Sequence, residues 1–153
     1  MHPSLTQSAI EVLMNDLHDK DYRVRSTAVD ALRKQLTLPE SGLQALISAL
    51  QHENGLVRYS AAEALGNQLT LPESGLQALI GALQGENGLL RYPAAEALGG
   101  QSTLPESALQ AIIDALQDEN KDVRWSAAKS LKEQSTLPES GLQALIGALQ
   151  DEN

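Results

Sequence analysis

The sequence predicts an all-α solenoid, a row of helical hairpins stacked side by side, and two observations carry that prediction. The string Leu-Pro-Glu-Ser recurs with its leucine at Leu38, Leu71, Leu104 and Leu137, a spacing of 33 residues each time. Within each period, apolar side chains fall at helical intervals in two separate stripes. Arginine keeps the same register at Arg25, Arg58, Arg91 and Arg124, as does alanine at Ala28, Ala61, Ala94 and Ala127. Projecting the rule backwards places Leu5 in the position of Leu38. The chain therefore divides into a capping repeat at 1–37, repeats at 38–70, 71–103 and 104–136, and a partial repeat at 137–153 holding one helix.

In the first helix of a unit, helix A, Leu43, Leu46, Ile47 and Leu50 sit at i, i+3, i+4 and i+7 on one face. Pro39 suits a first turn whose amides lack helical partners, and Glu40 favours the positive end of the helix dipole. Helix B follows, with Val57, Ala61, Ala64 and Leu65 as its stripe and Asn54 as its side-chain cap. His52 to Asn54 form the turn between the two, and Gly66, Asn67 and Gln68 mark a fraying end. Neither helix can bury its stripe alone, so the units must stack into a quasi-one-dimensional array. Phenylalanine is absent, and alanine recurs, which points to close packing of small residues.

Composition narrows the function. The chain has 153 residues, with 11 Lys plus Arg against 20 Asp plus Glu, a net charge of −9. Such a surface disfavours nucleic acid, whose binding depends on Lys and Arg displacing counterions. The absence of cysteine removes disulfides, thiolate nucleophiles and sulfur-based zinc sites, and fits a reducing compartment. No apolar run approaches the roughly 20 residues needed to span a bilayer. The chain reads as soluble and cytoplasmic, with no membrane partner.

The turn and helix B read DENKDVRWSAAKSL at Asp118 to Leu131 and DKDYRVRSTAVDAL at Asp19 to Leu32. This resembles the HEAT-like repeat of the phycobilisome-lyase type, with its Asp-x-Asp-x-x-Val-Arg followed by Ala-Ala and Leu-Gly. The ankyrin and tetratricopeptide signatures are missing. The near-identity of units, with LPESGLQALIGALQ unchanged at Leu71 to Gln84 and Leu137 to Gln150, is also similar to the amplified arrays of fungal NACHT-type receptors. That resemblance implies sensing of ligands or partners. A consensus-designed array without a natural partner would share the same near-identity.

Four columns of side chains are candidate sites. In the resembled family, arginines at the position of Arg25, Arg58, Arg91 and Arg124 pair with turn acids between repeats. Here the second acid position holds Asp21, Asn54, Asn87 and Asn120 and the first holds Asp19, His52, Gly85 and Asp118. Asparagine caps a helix without supplying an ion pair, and the arginines read as structural, inter-repeat residues. One residue later, Ser26, Tyr59, Tyr92 and Trp125 fall almost opposite the buried face and are expected to be exposed on helix B, which in HEAT-like solenoids lines the concave side. With helices about 8 to 10 Å apart, three rings form a ridge of roughly 20 Å. Tyr and Trp are enriched at binding hot spots; the alternative is that each ring merely lies on the neighbouring helix. Beside them run Asp30, Glu63, Glu96 and Lys129, a polarised stripe that reads first as a solvated face. The deoxyhypusine hydroxylases, a HEAT-like family, bind iron through repeated His-Glu pairs, whereas His52-Glu53 occurs once here and is replaced by Gly85-Glu86 and Asp118-Glu119. No metal or cofactor set is legible.

Two local anomalies complete the reading. Glu11, Asn15 and Asp16 replace Gln44, Ser48 and Ala49, as expected of a capping unit, whereas the last helix A is an interior copy, which predicts a longer array and end-to-end self-association. Pro93 replaces Ser60 and Ser126 inside helix B, which predicts a late start or a kink. The function expected is a non-enzymatic scaffold, part of a larger receptor or scaffold protein, that binds a protein or peptide through Tyr59, Tyr92 and Trp125 with Glu63 and Glu96 tuning orientation. The competing class is an enzyme relative of the bilin-lyase kind.

Overall fold

The computed structural model describes residues 5–134 and 137–150. Among the described residues there are nine α-helices and no strand: α1 (Gln7–Asp16), α2 (Tyr22–Arg33), α3 (Glu40–Ala49), α4 (Gly55–Gly66), α5 (Glu73–Gln84), α6 (Gly88–Gly99), α7 (Glu106–Ala115), α8 (Lys121–Glu133) and α9 (Glu139–Gln150). Each odd-numbered helix from α1 to α7 forms a hairpin with the helix that follows it, and the hairpins stack in sequence order. The odd helices make one layer and the even helices the other.

Local chemistry sets the helix starts. Asn54 accepts hydrogen bonds from the Leu56 and Val57 amides, and Asp21, Asn87 and Asn120 cap their helices in the same way. Pro39, Pro72 and Pro105 stand at the N-cap itself with φ of −66°, the value the ring imposes, and a glutamate opens the first turn behind each. The core is a continuous file of leucine and alanine, with Leu32, Leu65, Leu98 and Leu131 fully buried at one repeating position.

The even helices pack against one another far more extensively than the odd helices do, so their layer is the inner side of the array. Small residues permit this. A Cβ on Gly66 would lie 2.7 Å from Ala97 Cα, and one on Gly99 would overlap the Ser130 side chain. Arg33 holds the equivalent position in α2, and the α2–α4 contact is correspondingly smaller. There the long side chain turns away to meet Asp30 at 3.2 Å and Glu63 at 3.1 Å.

The segment expected to fray after helix B is instead part of the core. Gln35, Gln68 and Gln101 are all buried. Gln68 is 3% exposed; its Nε2 donates to the Gln35 carbonyl at 2.7 Å and the Ala64 carbonyl at 3.1 Å, and its Oε1 accepts from the Leu38 amide at 2.9 Å. Gln101 repeats the donation, to the Gln68 carbonyl at 3.2 Å, and Gln35 accepts from the Leu5 amide at 3.3 Å. A side-chain amide supplies both a donor and an acceptor, so one residue satisfies groups on two sides of a junction. The ladder ties the second hairpin to the first and the third to the second.

The expectation of a late start at Pro93 is corrected. Helix α6 begins at Gly88 and runs unbroken to Gly99, the same twelve residues that α4 occupies at Gly55–Gly66. The missing amide deprives one carbonyl, that of Leu89, whose residue is exposed. Pro93 itself is buried between neighbouring inner helices, and that packing holds the helical path.

Replacing Gln68 by Ala leaves the Leu38 amide and the Gln35 carbonyl buried without partners, and is expected to cost about 2 to 4 kcal/mol in urea unfolding. The exposed Gln77→Ala control is expected to change stability by no more than about 0.5 kcal/mol.

Candidate functional site

The column Ser26, Tyr59, Tyr92 and Trp125 lies on the inner layer, but the side chains are not equally exposed. Trp125 is 58% exposed and Ser26 is exposed, while Tyr59 and Tyr92 are half-buried, and Tyr92 packs against the core. This corrects the expectation of three free rings. The cause is position in the array: α4 and α6 are each flanked on both sides by other inner helices, which close over the tyrosines. Beyond α8 lies only α9, and Trp125 lines a groove of about 220 Å³ with Leu116, Ala128, Leu145 and Leu149.

The carboxylate column is not simply solvated either. Glu63 pairs with Arg33 at 3.1 Å, and Glu96 lies 4.0 Å from the Lys129 ammonium. Burial pushes the Tyr92 hydroxyl up to about 12, reinforced by the Glu96 charge. Tyr59 is raised by burial first and then by Glu63 and Glu96. The C-terminal halves of α4, α6 and α8 enclose a groove of about 250 Å³ lined by Glu63, Glu96, Ser126, Lys129 and Glu133. Gly66, Gly99 and Gly100 also line it, at the close seams between these helices. A sequence signal for the groove exists in hindsight: Glu and Gly stand three apart in two consecutive units, at Glu63-Gly66 and Glu96-Gly99.

The four arginines do related work at the outer end of helix B. Each donates through Nη1 to two carbonyls of its own turn, as Arg58 does to His52 at 2.6 Å and Glu53 at 2.9 Å. Among the described residues only Arg91 also reaches the next hairpin. Its Nε lies 2.8 Å from Asp118 Oδ2, an ionic contact without hydrogen-bond alignment, and its Nη2 donates to Asp118 and Glu119. The inter-repeat contact expected of these arginines is present at Arg91, and Arg25 and Arg58 bond within their own turns. The partner is the first acid position of the following turn, which is His52 for Arg25 and Gly85 for Arg58. The counterpart for Arg124 is Asp151, outside the described residues, as is His2.

His52 occupies an aspartate's place. Its Nδ1 accepts the Asn54 amide at 3.0 Å, as Asp19 accepts Asp21 at 2.7 Å and Asp118 accepts Asn120 at 2.8 Å. Its ring faces His18 across the junction with centroids 5.2 Å apart. No group of three or more His, Cys, Asp or Glu side chains placed to hold a metal ion occurs among the described residues, nor is any helix there long and apolar enough to cross a membrane.

A family model for HEAT repeats matches residues 10–99 and 76–153. The chain belongs to the HEAT-repeat family. No curated protein matches it, but solved structures do. Human deoxyhypusine hydroxylase is 27% identical with a TM-score of 0.69 over 86% of this HEAT chain, which spans 45% of the hydroxylase. The CpcE–CpcF phycocyanin lyase complex from Nostoc is 20% identical with a TM-score of 0.70, covering 97% of this chain and 93% of that one. A designed armadillo repeat protein in complex with the peptide (KR)4 is 17% identical with a TM-score of 0.61, covering 94% and 75%. The last two show a shared fold.

Two titrations follow from these contacts. Because the folded Tyr92 holds its proton above the ordinary value of 10.0, its stabilising contribution is complete below that pH and is lost as pH rises through about 12. Glu96→Gln is expected to lower the Tyr92 midpoint in a tyrosinate absorbance titration, with Tyr92→Phe identifying the signal. His52 is lowered from 6.5, by burial first and then by His18, with Arg25 and Arg58 acting the same way and Glu53 opposing. Its contribution is complete above pH 6.5 and declines as pH falls through the folded value. His52→Asp is expected to reduce the stability loss that urea unfolding measures as pH falls below 6.5, since aspartate titrates lower.

Proposed function

We propose that this HEAT array is a non-enzymatic, cytosolic scaffold that binds a peptide or protein segment along its inner face. Tyr59, Tyr92 and Trp125 supply the apolar contacts, and Glu63 and Glu96 set the orientation of the bound chain. The observation that carries the reading is continuity. The aromatic column runs directly into the carboxylate-lined groove along one stripe of α4, α6 and α8, so apolar and charged contacts are offered side by side. Rigid aromatic side chains with a polar tip favour such contacts because they bury large areas at low cost in conformational entropy. The fold-level likeness to a designed armadillo protein in complex with (KR)4 supports a peptide ligand.

A second reading, end-to-end pairing of two copies, draws on α9. Leu142, Ile146 and Leu149 are exposed there, Leu149 at 86%. Clustered apolar surface of this kind favours association. Sedimentation velocity over a concentration series separates the two readings: mass that rises with concentration and returns to monomer in an Ile146→Lys, Leu149→Lys variant supports pairing.

The scaffold reading is tested by immobilising the chain and quantifying what it captures from a cell extract. A Tyr59→Ala, Tyr92→Ala, Trp125→Ala variant, checked for retained helicity by circular dichroism, is expected to lose about tenfold or more of the captured material. Undiminished capture by the folded variant removes the aromatic column from the binding site.

A further inference from the structure

We infer that the groove between α4, α6 and α8 receives a cationic side chain of a basic peptide, and that Lys129 fills that place from within the chain until the peptide displaces it. The inference rests on the inner-face reading and names the chemistry of its ligand.

The charge column supplies the first observation. Its members are Asp30, Glu63, Glu96 and Lys129, so the fourth unit carries an ammonium where the others carry a carboxylate. That ammonium, though half exposed, has two neighbours. It stands 4.0 Å from Glu96 Oε1 on one side and 5.2 Å from the centroid of the Trp125 ring on the other. A carboxylate and the face of an indole are the two groups that recognise an organic cation, one by charge and one by its quadrupole. Lys129 thus shows where a cation sits on this surface. It also shows how weakly its own is held, because the ion pair lies at the limit of contact and both partners keep a third or more of their surface in water.

The second observation is independent of charge. Ser126 lines the same groove, is 1% exposed, and its side-chain oxygen has no hydrogen-bond partner. Buried hydroxyls without partners are uncommon and costly. An incoming ammonium or guanidinium carries several N–H donors and no acceptor, which suits an unsatisfied oxygen. Glu133 adds a third carboxylate to the wall, and the groove offers about 250 Å³ for a side chain to enter. The net charge of −9 favours approach of a basic segment from a distance.

Fluorescence anisotropy with labelled eight-residue peptides tests this, using arginine alternating with alanine and the same peptide with glutamine or glutamate in place of arginine. The arginine peptide is expected to bind and to weaken with salt. Lys129→Glu, and to a lesser degree Lys129→Gln, is expected to tighten binding, by about tenfold for the glutamate, because the internal competitor is gone. Lys121→Glu makes the same charge change outside the groove and is expected to stay within about twofold of the parent, as is Glu106→Gln on the outer layer. Glu96→Gln is expected to weaken binding about tenfold. Equal effects of Lys121→Glu and Lys129→Glu, or of Glu106→Gln and Glu96→Gln, mean diffuse attraction and overturn the inference. If the glutamine peptide binds as tightly as the arginine peptide, the aromatic inner face stands and the cation site falls. If no peptide of any charge binds, the inner-face reading falls with it.

Discussion

Close approach of the inner helices is the constraint on which the rest of this array depends. A hairpin of two short amphipathic helices has too little core to stand alone, so each must lend its flank to its neighbours. The inner seam is drawn tight by glycine against alanine or serine, at Gly66–Ala97 and Gly99–Ser130, where any side chain would collide. Tightness then creates buried backbone groups at the helix ends, and the glutamine ladder satisfies them from the next hairpin. Packing and hydrogen bonding are thus coupled: the same approach that buries the leucines demands the amide that answers the stranded carbonyl.

Much of this was legible before any coordinates, because a strict period exposes every structural column at once. The helices, their caps at Asn54, Asn87 and Asn120, and the leucine core follow from local spacing alone. Gln68 was misjudged because glutamine after a helix ordinarily faces water. Its recurrence at Gln35, Gln101 and Gln134 is no sign by itself, since the exposed Gln44, Gln77, Gln110 and Gln143 recur as strictly. The arginines were misjudged in part for a related reason. Their true partners lie in two places, the carbonyls of their own turn and the first acid of the next, and only the second kind has a side-chain identity to read.

The candidate site shows the limit more sharply. Angular position on an isolated helix put Tyr59, Tyr92 and Trp125 in water alike, yet exposure is a property of the assembled layer. Translating one residue by a unit changes nothing in its own helix and a great deal in its surroundings, because α4 and α6 have inner neighbours on both flanks and α8 does not. The perturbed hydroxyls of Tyr59 and Tyr92 follow from that burial. The groove itself lies between helices of three different units, and a space of that kind has no residue of its own to read in a sequence.

Among the described residues, the ionic clasp between Arg91 and the Asp118-Glu119 turn sets its junction apart from those before it. At that junction the outer rim is fastened by charge and the inner rim by the Gly99–Ser130 contact, so the two hairpins are held at both rims. At the two junctions before it, Arg25 and Arg58 face His52 and Gly85 positions that offer no anion, and the hairpins are joined instead by the glutamine ladder, by Gly66 against Ala97 and by the Arg33–Glu63 pair. A long ligand lying along the inner face would therefore cross junctions that are fastened in two different ways, by charge at one end and by side-chain amides at the other.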